Sequence, residues 1–339
     1  MSVFVKDEFC RPGGLLRLPW FVKDFIQVVR DQQQYRSPET PSLLNPDRTM
    51  DDLYTTAVLA LLFLTIRILL DKFLFGIIFR RFPPKVQPKL SENLFYSMYY
   101  MGAFAFYMFR VRPSLEWSVD LLSNDSHVVK DLVHPYPPHM VASEHEYYNQ
   151  AGAFYIAASI FLIVFDSRRS DFMEHCLHHF VTLGLVSVSY MYGYVRAGIV
   201  ILALHDVGDI FLYSAKFVHY LGLAGLDTAV FATFAVTFYV TRLVMFSRLV
   251  HMISIETLQT VLVDPGFNKW AMFYDTYLLH YLFFVGFAGT LLLLHCFWFV
   301  LILKMIYREL FEGKKISEEG DIRSDDEGDE EIREFEKED

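Results

Sequence analysis

The chain is 339 residues long, 53% hydrophobic and 17% aromatic, with 33 Phe and 20 Tyr against 4 Trp. Charged residues make up only 21% and mean hydropathy is +0.28; the apolar residues gather in blocks longer than the core of a water-soluble domain needs, which excludes a soluble enzyme. The net charge of −10 belongs to one segment, residues 317–339, which hold 13 Asp/Glu and 3 Lys/Arg, so the rest of the chain is formally neutral.

Cys10, Cys176 and Cys296 are too few and too scattered for a disulfide framework or a zinc site. No basic cluster points to nucleic acid. No short apolar stretch near Met1 is followed by a small-residue cleavage site, so no cleaved signal peptide is expected.

In chain order, residues 1–52 form an N-terminal segment whose LLRLPWFVKDFIQVVR stretch reads as an interfacial amphipathic helix. A hydrocarbon core about 30 Å thick takes roughly 20 apolar residues per helix. Seven stretches qualify: 53–75, 92–111, 148–166, 172–191, 196–216, 228–249 and 273–304. The fourth and fifth are the least apolar. The fifth is kept because GIVILAL precedes, and IFL follows, its polar residues. The competing layout has five or six spans and a re-entrant segment. The expected fold class is an all-α polytopic membrane protein of about seven transmembrane helices around an intramembrane cavity.

Positive charge orients the spans. Arg80, Arg81, Lys85 and Lys89 follow the first, Arg168 and Arg169 the third, and Lys304, Arg308, Lys314 and Lys315 the last; with seven spans all fall on one, cytosolic, side. The seven Lys/Arg of residues 1–52 then lie on the opposite side, against the rule. The organisation is therefore an N-terminal segment (1–52), a first span (53–75), a basic cytosolic loop (76–91), a six-helix bundle (92–310) and an acidic cytosolic tail (311–339). The tail has almost nothing to bury and is expected to be disordered. Ser317 and Ser324 precede acidic runs suited to an acidophilic kinase, and Asn124-Asp125-Ser126 is a glycosylation sequon in a lumenal loop.

An ionisable group at mid-membrane costs roughly 2.5–3.5 kcal/mol on insertion scales. Spans four and five nevertheless carry Glu174, His175, His178, His179, His205, Asp206, Asp209 and Lys216. At about 100° per residue, His205, Asp209 and Lys216 share a stripe of roughly 40°, with Asp206 flanking it. His178 and Asp209 both lie about 10 Å below the cytosolic face at 1.5 Å per residue, and the short MYGYVR turn makes their helices antiparallel neighbours. Imidazole beside carboxylate suits proton transfer or nucleophilic acyl transfer. A proton or ion pathway and structural pairing are the alternatives. His175-Cys176-Leu177-His178-His179 also spells HxxHH, a spacing of membrane di-iron enzymes, but no second histidine box appears among the other nine histidines.

The stretch from Asp166 to Tyr220, with adjacent His178 and His179 after RRSDF and the HDxxDxxL pattern one span later, closely resembles the longevity-assurance motif of ceramide synthases, within the TLC-domain superfamily. Similar elements recur at Tyr136-Pro137, Thr241 to Leu243, His295 to Phe299 and Asp321 to Glu327, so the resemblance covers about residues 70–327. It implies a TLC-type helical bundle of the endoplasmic reticulum that transfers a fatty acyl group from acyl-CoA to the amino group of a sphingoid base, as a homo- or heterodimer. It implies His178, His179, His205, Asp206 and Asp209 as catalytic residues, acyl-CoA as co-substrate, and no further cofactor or metal. Arg168, Arg169, Lys216 and Arg242 are candidate substrate-binding residues. One departure stands out: the family usually has Glu after HDxxDxxL, where this chain has Tyr213. The rivals from other classes are a non-enzymatic TLC-domain lipid-handling or translocon-associated protein, and a transporter using a His/Asp proton relay.

Overall fold

In the computed structural model the described residues are 49–115, 139–165, 170–223, 225–256 and 277–311, with Asp47, Trp117 and Leu121. The amphipathic N-terminal stretch, Asn124, Arg168, Arg169, and the tail with Ser317 and Ser324 lie outside them.

Every regular element among the described residues is helical. α1 (Met50–Leu69) starts at a capping box in which Thr49 Oγ1 accepts from the Asp52 amide and the Asp52 carboxylate accepts from the Thr49 amide. It runs on through a π-helical stretch, Leu70–Phe75, into Gly76–Ile78. α2 (Val86–Phe106) continues as a π-helical Tyr107–Val111. α3 (Ala142–Val164), α4 (Phe172–Tyr192) and α5 (Val195–Tyr220) follow. α6 (Leu226–Phe238) extends through π-helical Tyr239–Met245, then Phe246–His251 and Met252–Glu256; α7 (Tyr277–Phe311) is the last.

Each stretch expected from hydropathy overlaps one of these helices, with 166 and 273–276 outside the described residues, and the helices are longer. α3 begins at Ala142 rather than 148, and α5 ends at Tyr220 rather than 216. Hydropathy registers only the apolar turns, whereas a polar end turn stays helical when its backbone groups are met. At α3, the Val141 amide donates to the Glu144 carboxylate at 2.9 Å. Among the described residues, four helices are long and apolar enough to cross a membrane: Asp51–Ile78, Ala142–Val164, Leu226–Glu256 and Leu279–Phe311. The protein is an all-α membrane protein.

α5 lies at the centre, packed most extensively on α2 and α6, while α1 packs on α3, and α4 on α7 and α3. The side chains turned away from the bundle are apolar: Leu61, Ile77, Val164, Leu293 and Leu310 are 64–72% exposed. Such a surface suits lipid and would drive aggregation in water. Arg67 of α1 is buried, pairs with Asp71 at 2.9 Å, donates to the Ser91 and Glu92 carbonyls at 3.1 and 3.4 Å, and sits over the Phe95, Tyr96 and Phe161 rings.

Candidate active site

The α4–α5 hairpin that carries the polar cluster closes in two residues. Gly193 caps α4 at φ 75, the left-handed region where a Cβ is penalised, and α5 begins after Tyr194. Close approach then locks the hairpin to α3. A Cβ on Gly198 would lie 1.7 Å from the Tyr148 hydroxyl, which donates to the Val195 carbonyl at 3.0 Å.

Between α2, α3, α4, α5, α6 and α7 lies a cavity of about 1380 Å³, counting its open mouth. His175, His178 and His179 reach it from α4, Asp209, Tyr213, Lys216 and His219 from α5, Glu92, Tyr96 and Tyr100 from α2, Arg242 from the extension of α6, and Trp298 from α7. Of the residues expected from sequence, His178, His179, Asp209, Lys216 and Arg242 thus share one wall system. The paired histidines have different surroundings. His179 Nδ1 lies 3.1 Å from Ser159 Oγ, and that hydroxyl donates to the Tyr155 carbonyl at 2.6 Å. With the Ser159 proton on the Tyr155 carbonyl, His179 donates from Nδ1 and Nε2 keeps its lone pair. His178 packs edge-on against His179 and Trp298, at centroid separations of 5.7 and 5.5 Å.

His205 and Asp206 lie behind the cavity wall, 2% and 4% exposed. Asp206 accepts from the Tyr147 hydroxyl at 2.6 Å. His205 faces a second, smaller void of about 340 Å³; its Nε2 is 3.2 Å from His295 Nε2 and its Nδ1 2.7 Å from the Ile201 carbonyl. Asp209 does not meet an imidazole directly. Arg242 Nη2 donates to its carboxylate at 2.8 Å and to the His205 carbonyl at 3.0 Å, and Nη1 lies 3.2 Å from His295 Nε2. A permanently charged guanidinium holds a buried carboxylate more strongly than a neutral imidazole does. The π-helical Tyr239–Met245 stretch carries Arg242, consistent with the way such bulges re-aim side chains at functional sites. Gly208 gives it room, since a Cβ there would lie 3.2 Å from Arg242 Nε.

Tyr213, the departure from the resembled motif, stacks on Tyr96 and Tyr100 at 4.8 and 5.6 Å, so an aromatic group fills the place of an acid. His175, which resemblance left out of the site, lines the cavity with its Nδ1 3.3 Å from the Asp171 carboxylate; Trp298 Nε1 donates to the same carboxylate at 3.1 Å. His295, Trp298, Ser159 and Glu92 were not assigned roles from sequence. For His295 and Glu92 the available signal was the same: a polar residue at the edge of, or inside, an apolar span. Among the described residues, no three or more His, Cys, Asp or Glu side chains converge as a metal ion requires.

The TLC domain family model matches residues 89–304. The chain is 32% identical to ceramide synthase LOH1 of Arabidopsis thaliana over 306 residues, 84% of this chain and 93% of that protein. It is 32% identical to ceramide synthase LOH2 of the same plant over 71% of this chain and 75% of that one. Against ceramide synthase 4 of Mus musculus the identity is 36%, over 51% of this chain and only 39% of the mouse protein.

Proposed function

The chain belongs to the TLC domain family, and from that premise we propose that it is a ceramide synthase, transferring a fatty acyl group from acyl-CoA to the amino group of a sphingoid base. The observation that carries this is the pair His178 and His179 in a membrane-embedded cavity, beside a wall that pairs Asp209 with Arg242. Relatives aligned along most of this chain bear the name of that activity, and a non-enzymatic lipid-handling role is not favoured.

In the reaction the amine nitrogen attacks the thioester carbonyl, the C–N bond forms, the C–S bond breaks, and CoA leaves. The amine arrives protonated and must lose that proton first. His179, with Nδ1 committed to Ser159, offers Nε2 as the base. As the amide forms the nitrogen gives up a second proton, which His178 beside it passes to the departing CoA thiolate. Asp209 and Arg242 form a fixed polar wall, backed by His205 and His295, that keeps its geometry as charge moves in the cavity. The reaction uses acyl-CoA as co-substrate and needs no other cofactor.

Topology follows from the same proposal. All seven helices cross the membrane of the endoplasmic reticulum, α5 being screened from lipid by the others while α2 and α4 turn Met98, Met173 and Phe180 outwards. The mouth opens to the cytosol, where Lys216, Arg168, Arg169 and the basic residues after α1 receive the CoA phosphates. The acidic tail is cytosolic, carries Ser317 and Ser324 as phosphorylation sites, and supports homo- or heterodimers. Asn124 faces the lumen. Expression in a cell lacking ceramide synthase, with mass-spectrometric detection of new N-acyl sphingoid bases, tests the activity. Membrane accumulation of the protein with no new N-acylated base would refute it.

A further inference from the structure

On a different helix from the histidines, the cavity is lined by a strip that the acyl-transfer scheme leaves unused. Glu92, Tyr96 and Tyr100 occupy successive i, i+4 positions of α2, all line the cavity, and are 7%, 7% and 5% exposed. Tyr213 of α5 closes the strip by stacking on both tyrosines. The histidines arrive from another helix, since α2 packs chiefly on α5 whereas α4 packs chiefly on α7 and α3. The cavity therefore has an imidazole wall and an acidic-aromatic wall.

A carboxylate next to stacked aromatic rings is the chemistry that recognises an ammonium group: charge-assisted hydrogen bonds from the carboxylate, quadrupole attraction from the ring faces. Of the two substrates, only the long-chain base carries a cation; acyl-CoA is a polyanion that a buried carboxylate repels. The backbone at Glu92 is fixed from outside the matched domain. Arg67 of α1 donates to the carbonyls of Ser91 and Glu92, and Asp71 accepts from the Ser91 hydroxyl.

We propose that Glu92, with Tyr96 and Tyr213, is the site that receives the ammonium head of the long-chain base, and that α1 positions it there through Arg67. This rests on the ceramide synthase proposal and deepens it. Glu92 takes no part in bond making; it orders the base so that its nitrogen faces the imidazole wall, where His179 removes the proton.

The test is steady-state kinetics of purified full-length protein in nanodiscs, varying sphinganine and palmitoyl-CoA separately. Glu92→Gln should raise KM for sphinganine by about tenfold or more while KM for palmitoyl-CoA stays within about twofold. Inhibition by the cationic, non-acylatable N,N-dimethylsphinganine should weaken by about the same factor, while inhibition by the uncharged octadecane-1,3-diol should not change. Glu92→Asp and Tyr96→Leu, which keep the charge and remove the ring respectively, give intermediate losses and stand in if Glu92→Gln does not accumulate. An unchanged sphinganine KM, or a parallel rise in both KM values, overturns the assignment. Inactive wild-type protein instead refutes the ceramide synthase proposal itself, so the two failures are distinguishable.

Discussion

The Arg242–Asp209 pair makes a quantitative prediction. Its side chains are 4% and 13% exposed and 2.8 Å apart. Arg242→Ala removes the guanidinium from Asp209, from the His205 carbonyl and from His295 together. Leaving one member of a buried pair alone costs about 3–5 kcal/mol, so this variant should be strongly destabilised. Asp209→Asn leaves Arg242 its other two contacts, and losing one charge-assisted bond costs about 1.5–3 kcal/mol. If the residues were independent, the double variant would lose about 4.5–8 kcal/mol, the sum of the two. It should instead lose no more than Arg242→Ala alone, about 3–5 kcal/mol, because no unpaired buried charge remains. The coupling is then at least about 1.5 kcal/mol. Arg242→Lys should fall between wild type and Arg242→Ala, since one ammonium cannot serve acceptors on diverging sides. Denaturant titration of the four proteins in the same micelle closes the cycle. Additivity within about 0.5 kcal/mol would show that the pair does not act as a unit, and the reasoning would fail.

Replacing both His178 and His179 by Ala should abolish N-acylation while the protein still accumulates in membranes; substantial residual turnover, measured against membrane protein level, removes acyl transfer from these residues. Gly198→Ala puts a Cβ 1.7 Å from the Tyr148 hydroxyl, an overpacking cost of about 3 kcal/mol or more, and should deplete the folded protein on an immunoblot of membranes. Adding Tyr148→Phe, which removes the clashing oxygen, should recover part of it. Glycosylation acceptor sites engineered into residues 116–138 should be modified in cells and sites added after Lys315 should not; the reverse pattern overturns the seven-span orientation.

Hydropathy found the right segments for a reason and missed the criterion for crossing for the same reason. Asp51–Ile78 meets the composition requirement through apolar side chains facing outwards: only 11% of its most apolar window is buried in the bundle, against 56% for Ala142–Val164. α4 and α5 spend their length on histidines, aspartates and small residues turned into the bundle, so their mean hydropathy falls there. The edges were harder. Polar end turns such as Ala142–Tyr147 are helical because of caps and tertiary contacts, neither of which a hydropathy window registers.

The site was legible only as far as it lay on one helix or one hairpin. Helical spacing put His205, Asp209 and Lys216 on a common stripe, and the short turn after Tyr192 brought α4 against α5. What that spacing left out was competition between partners. Asp209 has an imidazole within one hairpin, but a guanidinium from a helix extension 33 residues away in sequence takes its carboxylate. Asp206 points off the stripe and is taken by Tyr147 of α3. His295 belongs to the site through contacts with residues 53 and 90 positions away. Each of these pairings depends on how three or more helices meet, and on a π-helical stretch that rotates Arg242 relative to a regular helix. A sequence states which polar groups must be satisfied inside the membrane; which of them satisfies which is decided by packing. That division explains why the chemistry of the cavity could be anticipated from adjacent histidines, whereas its charged wall could not.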